Sequence, residues 1–175
     1  MTRLELAKEI AQISLLKGQF KLRSGQTSDK YFDKYRFESS PRLLKSICHH
    51  WKNILPKEFD LLAGLELGGI PLATALALEL QKNVLFVRKE AKSYGTCQFA
   101  EGTDFKHRRL LIIEDVVTTG GQVFSSVEML RAAGAIVENV LCVINRGENN
   151  EHLFKEKSLK LFPLFQMSEL LPISP

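Results

Sequence analysis

Long apolar runs are missing from this chain. Its longest stretches, such as Ile70 to Leu78, fall far short of the about 20 residues that a membrane-spanning helix needs. A secretory leader is missing too, because Glu5 and Glu9 interrupt the apolar residues where its hydrophobic region would run. A cytoplasmic protein with no membrane partner is therefore expected. Cysteine is scarce. Cys48, Cys97 and Cys142 are odd in number and widely spaced, and they match neither a disulfide framework nor a zinc pattern. His49 and His50 are adjacent, with no further ligand at metal-binding spacing, so reduced thiols and ordinary histidines follow. Blocks of Lys and Arg interleaved with aromatics are also absent. The net charge of +4 thus points away from nucleic acid and towards an enzyme that gathers a polyanionic small molecule. Repeats, low-complexity tracts and interdomain linkers do not occur.

What is present suits a single domain over residues 1–175, with 45% apolar residues for one core and 25% charged residues for its surface. Leu6, Ile10, Ile13 and Leu16 recur at helical spacing and predict a helix over 4–16, stopped by Lys17 and Gly18. Residues 20–37 alternate like strands around Ser24-Gly25-Gln26. Pro41 opens a second helix through Leu43, Leu44, Ile47 and Trp51. From there strands and helices take turns. Strands are expected over 59–65, 83–87, 110–113 and 136–144, with helices over 71–80 and 122–133. That alternation predicts an α/β fold with a central, mostly parallel sheet flanked by helices. Ligands of such sheets bind beyond the carboxyl ends of the strands, which here means after Leu65, Val87, Ile113 and Ile144.

The strongest chemical signal is Leu110-Leu-Ile-Ile-Glu-Asp-Val-Val-Thr-Thr-Gly-Gly-Gln122. An apolar strand ends in Glu114 and Asp115, a turn rich in hydroxyls and glycines follows, and a helix begins. Thr118, Thr119, Gly120 and Gly121 put consecutive backbone N–H groups at a helix start, which makes an anion site. The two carboxylates can accept from sugar hydroxyls and help hold a hydrated Mg²⁺. A plain strand-turn-helix is the alternative, and the order and spacing of acids, hydroxyls and glycines weigh against it. Gly64-Leu-Glu-Leu-Gly-Gly-Ile-Pro71 is a second turn between strand and helix, where Gly68 and Gly69 expose further amides; a turn required only by the fold explains it equally well. The third segment, Phe86-Val-Arg-Lys-Glu-Ala-Lys-Ser-Tyr-Gly-Thr96, delivers Arg88, Lys89 and Lys92 into a polar stretch of roughly twenty residues, the length of a functional lid; a solvated charged loop is the alternative that the residues alone favour.

The segment 110–122 resembles the PRPP-binding signature of type I phosphoribosyltransferases, where PRPP is phosphoribosyl pyrophosphate. The lid and the segment Phe20-Lys-Leu-Arg-Ser-Gly-Gln-Thr-Ser-Asp-Lys-Tyr-Phe-Asp33 resemble those of the orotate phosphoribosyltransferases. The resemblance runs from about residue 17 to 146, and weakly on to a closing strand and helix in 159–171. It implies the type I fold, with a PRPP-binding core over 60–146, a small hood or flap formed by 1–40 with 155–175, and a mobile catalytic loop.

Among site residues it implies that Glu114 and Asp115 face the ribose hydroxyls, with Val116 and Val117 leading to the 5-phosphate cradle Thr118 to Gln122. Gly68 and Gly69 would hold pyrophosphate through backbone amides; some relatives carry a lysine at Gly68. Arg88, Lys89 and Lys92 would bind the pyrophosphate of PRPP, with Lys92 leading in catalysis and Arg88 and Lys89 supporting it, and Tyr94 stands where many members have a histidine. Arg23, Tyr31, Phe32, Thr118 and Arg146 would form the orotate pocket, the arginines meeting its carboxylate.

Mg²⁺ is the implied cofactor, held mainly by PRPP and water near Glu114 and Asp115. A homodimer with shared sites is implied by a lid that reaches the neighbouring subunit. A decarboxylase would be a separate partner, since this length leaves no room for a fusion. The expected reaction makes orotidine 5'-phosphate in pyrimidine biosynthesis. Alternatives are a transferase for another base, against which Arg23 and Arg146 argue, and a non-catalytic PRPP-sensing regulator, against which the lid cations argue.

Overall fold

The computed structural model describes residues 1–21, 25–91 and 98–170. Thr2 starts the first helix with a reciprocal cap: its hydroxyl accepts from the Glu5 amide while the Glu5 carboxylate accepts from the Thr2 amide. Helix α1 (Arg3–Ser14) buries Leu6 and Ile10 as their spacing predicts, but it stops two residues early. Leu15 and Leu16 instead begin β1 (Leu15–Lys21), paired antiparallel with β2 (Thr27–Phe32). Opposite Phe32 and Tyr31 the two leucines gain cross-strand aromatic neighbours, and that pairing wins over another helical turn. The expected strand character of 20–37 ends at Phe32, and α2 (Tyr35–Glu38) is one helical turn. Helix α3 (Pro41–Trp51) starts where proline and a serine cap dictate, Ser40 accepting from the Leu43 amide.

A six-stranded sheet follows, built from β3 (Leu61–Leu65), β4 (Val84–Val87), β5 (Ala100–Glu101), β6 (Arg109–Val117), β7 (Ile136–Asn145) and β8 (Lys160–Gln166). Its order is β5-β4-β3-β6-β7-β8, parallel throughout except for β5, which runs antiparallel to β4. The connecting helices are α4 (Gly69–Leu80), α5 (Gly121–Ala132) and α6 (Glu151–Glu156), with α7 (Met167–Leu170) after the last strand. Every residue of β3 is buried, as a central parallel strand covered on both faces requires. Side chains alternate between two cores. Leu62, Leu111, Ile113 and Leu141 pack with α1, α3 and α4; Leu61, Ala63, Leu110, Ile112 and Val140 pack with α5.

From β3 the chain crosses to β4 on one side, and from β6 it crosses to β7 on the other, through helices on opposite faces. The order of the sheet therefore reverses between β3 and β6. Ligands of open α/β sheets bind at such a switch point, and the two glycine-rich turns lie there.

Strand β6 runs four residues beyond its expected end at Ile113. Glu114, Val116 and Val117 keep their register with Cys142, Ile144 and Asn145. Charge breaks a strand only when it cannot be accommodated, and here both acids find neighbours. Helix α6 was not foreseen, whereas the closing strand and helix over 159–171 are found as β8 and α7, residues 171–175 lying outside the described residues. No helix of the described residues is long and apolar enough to cross a membrane.

Candidate active site

The site begins with two acids where the sheet would ordinarily carry apolar side chains. Asp115 is wholly buried and Glu114 nearly so. The Asp115 amide donates to Glu114 Oε1 at 2.9 Å, and Asp115 Oδ1 accepts from the Val116 amide. Burial first, and the adjoining Asp115 second, push the Glu114 carboxyl well above the usual carboxylate range. Thr118 and Thr119 then emerge into solvent. Gly120 adopts φ 84°, the left-handed region that suits glycine, and starts α5. A Cβ there would stand 2.7 Å from the Phe124 ring. The turn thus presents its hydroxyls and free amides outward, with Gln122 exposed on the first turn of the helix.

The turn after β3 lies directly against this strand. A Cβ on Gly69 would stand 2.2 Å from the Ile113 carbonyl oxygen, and one on Gly68 would stand 1.5 Å from Asp115 Oδ2. Neither position has room for a side chain, so the missing lysine at Gly68 is matched by close approach of the two turns. The Glu66–Leu67 peptide in this turn is cis.

Two charged residues that sequence reasoning missed complete the cluster. Lys34 places its ammonium 2.5 Å from Asp115 Oδ2. Burial alone would depress the Lys34 ammonium, but Asp115, with Glu114 and Glu38 beyond it, raises it overall. Glu38 is 4% exposed, and neither of its carboxyl oxygens has a well-formed hydrogen bond. Burial and then the neighbouring Asp115 push it up to about 9, against the opposing pull of Lys34. No local pattern marks either residue. They enter the site only because α2 docks beside the end of β6.

A third missed feature binds the ends of β6 and β7 together. The side chains of Asn145 and Asn150, both buried, form a reciprocal amide pair at 3.0 and 2.9 Å. The Asn150 amide also donates to the Thr118 carbonyl at 2.7 Å, and Asn145 Oδ1 accepts from the Gly147 amide at 3.1 Å. Between these anchors the Arg146 amide donates to the Val117 carbonyl at 2.7 Å. Gly147 is required there, since its Cβ would stand 2.3 Å from both Asn150 Nδ2 and the Thr118 oxygen. The Arg146 side chain is exposed and lines a cavity of about 840 Å³ with Gln166 and Ser168.

The remaining expected residues are more dispersed. Tyr31 is exposed and stacks near Phe20, ring centroids 5.5 Å apart, whereas Phe32 turns inward and packs on the core. The two aromatics thus do not act as one surface, because neighbours on a strand face opposite ways. After β4 the Arg88 amide donates to the Phe99 carbonyl at 2.7 Å and the Lys89 amide to Glu66 Oε1 at 2.8 Å. Arg88 and Lys89 therefore start their segment beside the turn after β3. Arg23, Lys92 and Tyr94 lie outside the described residues, as does Cys97. Cys48 and Cys142 are free and buried, and burial lifts the Cys48 thiol to about 12.

Known proteins share the sequence and fold of this chain. The phosphoribosyl transferase domain family matches residues 36–163. An orotate phosphoribosyltransferase of Nocardioides sp. is 47% identical over 165 residues, which is 94% of this chain and 92% of the relative. The chain belongs to the orotate phosphoribosyltransferase family. A further orotate phosphoribosyltransferase, from Pyrococcus furiosus, is 38% identical over 170 residues, 95% of this chain and 93% of that one. Among solved structures, Mycobacterium tuberculosis orotate phosphoribosyltransferase in complex with Fe(III) dicitrate superposes with a TM-score of 0.83 at 26% identity, over 96% of this chain and 98% of the other. The resemblance drawn from 110–122 and the mostly parallel α/β sheet both hold for this orotate phosphoribosyltransferase family member.

Proposed function

We propose that the protein transfers ribose 5-phosphate from PRPP to orotate, giving orotidine 5'-phosphate and pyrophosphate in pyrimidine biosynthesis. One observation carries the reading: the glycine-rich turn after β6 and the backbone of Arg146 are tied together by hydrogen bonds, next to a buried acid pair, at the switch point of the sheet. Thr118 to Gln122 take the 5-phosphate, on backbone amides and hydroxyls, with Val116 and Val117 as the strand that carries them. Glu114 and Asp115 accept from the ribose hydroxyls. Gly68 and Gly69 lay bare amides against the diphosphate. Arg146, with Arg23, meets the orotate carboxylate, and Tyr31 borders the flat ring.

The reaction breaks the bond from the anomeric carbon to the diphosphate oxygen and forms one to a ring nitrogen of orotate. The protein forms no covalent bond with either substrate. Its residues hold two anions in line and stabilise charge as it moves onto the diphosphate, in a site from which water is excluded. Lys92 is the principal cation in this step, supported by Arg88 and Lys89. Among the described residues no three His, Cys, Asp or Glu side chains are grouped to hold a metal ion. Glu114 and Asp115, the buried acid pair at the end of β6, would hold a hydrated Mg²⁺ carried in on PRPP, and that ion would supply positive charge to offset the diphosphate. A homodimer belongs to the same reading, because the family's lid acts in the neighbouring subunit's site.

The test is stoichiometric. With PRPP, Mg²⁺ and orotate, pyrophosphate and orotidine 5'-phosphate should form in equal amounts. Pyrophosphate released without nucleotide, or no release at all, would overturn the reading.

A further inference from the structure

The turn after β3 carries no cation of its own, yet a diphosphate brings several negative charges to it. Asp115 Oδ2 shows where a cation stands. The Lys34 ammonium is 2.5 Å from that oxygen, and the point where a Gly68 Cβ would sit is 1.5 Å from it. Lys34 and the bare backbone of Gly68 therefore approach the same oxygen of Asp115, although Lys34 comes from the far end of the chain's N-terminal region. Its side chain is about one-third exposed, so the ammonium can reach an incoming ligand, whereas Asp115 is wholly covered. Glu38 points into the same space. It is 4% exposed, its Oε1 lies 3.0 Å from the Gly68 Cβ position, and neither of its oxygens is well bonded.

We propose that Lys34 is a substrate-binding cation: when PRPP enters, ribose hydroxyls take its place on Asp115 and its ammonium moves to the adjacent diphosphate beside Gly68. The inference rests on the function proposed above and assigns a residue that no motif marks. The exchange is balanced. Asp115 trades one donor for others, and Lys34 trades a carboxylate for a diphosphate oxygen, so no buried charge is left alone at any stage. Glu38 remains beside the exchange, its carboxyl facing the same diphosphate-binding turn.

Inorganic pyrophosphate, titrated calorimetrically into the full chain with Mg²⁺ present, tests this. Lys34→Met is expected to weaken pyrophosphate binding by about tenfold or more, and Lys34→Arg to keep it within about threefold, as loss or retention of a charge-assisted contact requires. Because Lys34→Met leaves Asp115 without its counter-ion and so puts folding at risk, the same comparison is made between Asp115→Asn and Asp115→Asn with Lys34→Met. The double variant should again bind about tenfold more weakly than Asp115→Asn alone. Equal pyrophosphate binding with and without Lys34, in either background, would overturn the proposal and leave Lys34 as the counter-ion of Asp115. Failure of the unaltered protein to bind pyrophosphate at all would instead overturn the functional reading beneath it.

Discussion

The turns after β6 and β7 and the turns after β3 and β4 face the same site but are built differently. On the first side, side-chain amides of Asn145 and Asn150 tie Thr118, Arg146 and Gly147 into one buried unit. On the second, glycines bring the backbone of residues 68 and 69 hard against β6, and the Lys89 amide reaches Glu66. One half is tied together by its own side chains. The other presents bare backbone and, on the proposed reading, takes its charge from Lys34 in the flanking turn and from Arg88, Lys89 and Lys92. In a reaction where the 5-phosphate and base must stay fixed while the diphosphate departs, this division is mechanically sensible: the fixed half positions, and the half with borrowed cations follows the leaving group.

Changes on the two sides should therefore fail in different ways. The largest effect is expected at Lys92. Lys92→Ala should lower kcat by the equivalent of about 2–4 kcal/mol, as loss of one charge-stabilising group does, while denaturation curves change little. A drop in stability without a drop in kcat would erase the contrast between the halves. Asn150→Ala comes next, and its signature should be the reverse. Losing the amide that serves both Asn145 and the Thr118 carbonyl should cost about 1–3 kcal/mol of stability in urea denaturation, and KM for PRPP and orotate should rise together.

The smallest effect is expected at Glu38 and is visible only as pH dependence. Its folded-state pKa is raised to about 9 from 4.5, so between those values the native protein keeps a proton that the unfolded chain releases. Stability is then complete below about 4.5 and declines as the pH rises towards about 9. The groups facing Glu38 are Asp115, Lys34 and Asp33. Glu38→Gln keeps the shape and removes the titration. Thermal melts should show it gaining on the unaltered protein as the pH rises from about 4.5 towards about 9 and matching it below about 4.5. Parallel melting curves across the range would contradict the assignment.

How legible all this was depends on the range of the interactions. The parallel sheet could be read from alternating apolar runs, because each strand and helix carries its own period. The glycine-rich turn and the acids of 110–122 could be read for the same reason, being contiguous. Leu15 and Leu16 were misread because strand pairing with Tyr31 and Phe32 overrode local helical spacing. Lys34 and Glu38 could not be read at all. Their meaning is set by contact with Asp115, some eighty positions away. Asn145 and Asn150 sit beside a residue the reading did select, Arg146, but two asparagines near a glycine look like any loop until the Thr118 carbonyl is brought to them.

The central claim, that this site serves orotate and PRPP, is tested most directly by offering the purified protein PRPP and Mg²⁺ with orotate, uracil, adenine or hypoxanthine in parallel and following loss of each base. Consumption of orotate alone is expected, because on the proposed reading Arg146 and Arg23 would answer a carboxylate that the other bases lack. Consumption of a different base, or of none while PRPP still binds, would contradict the account.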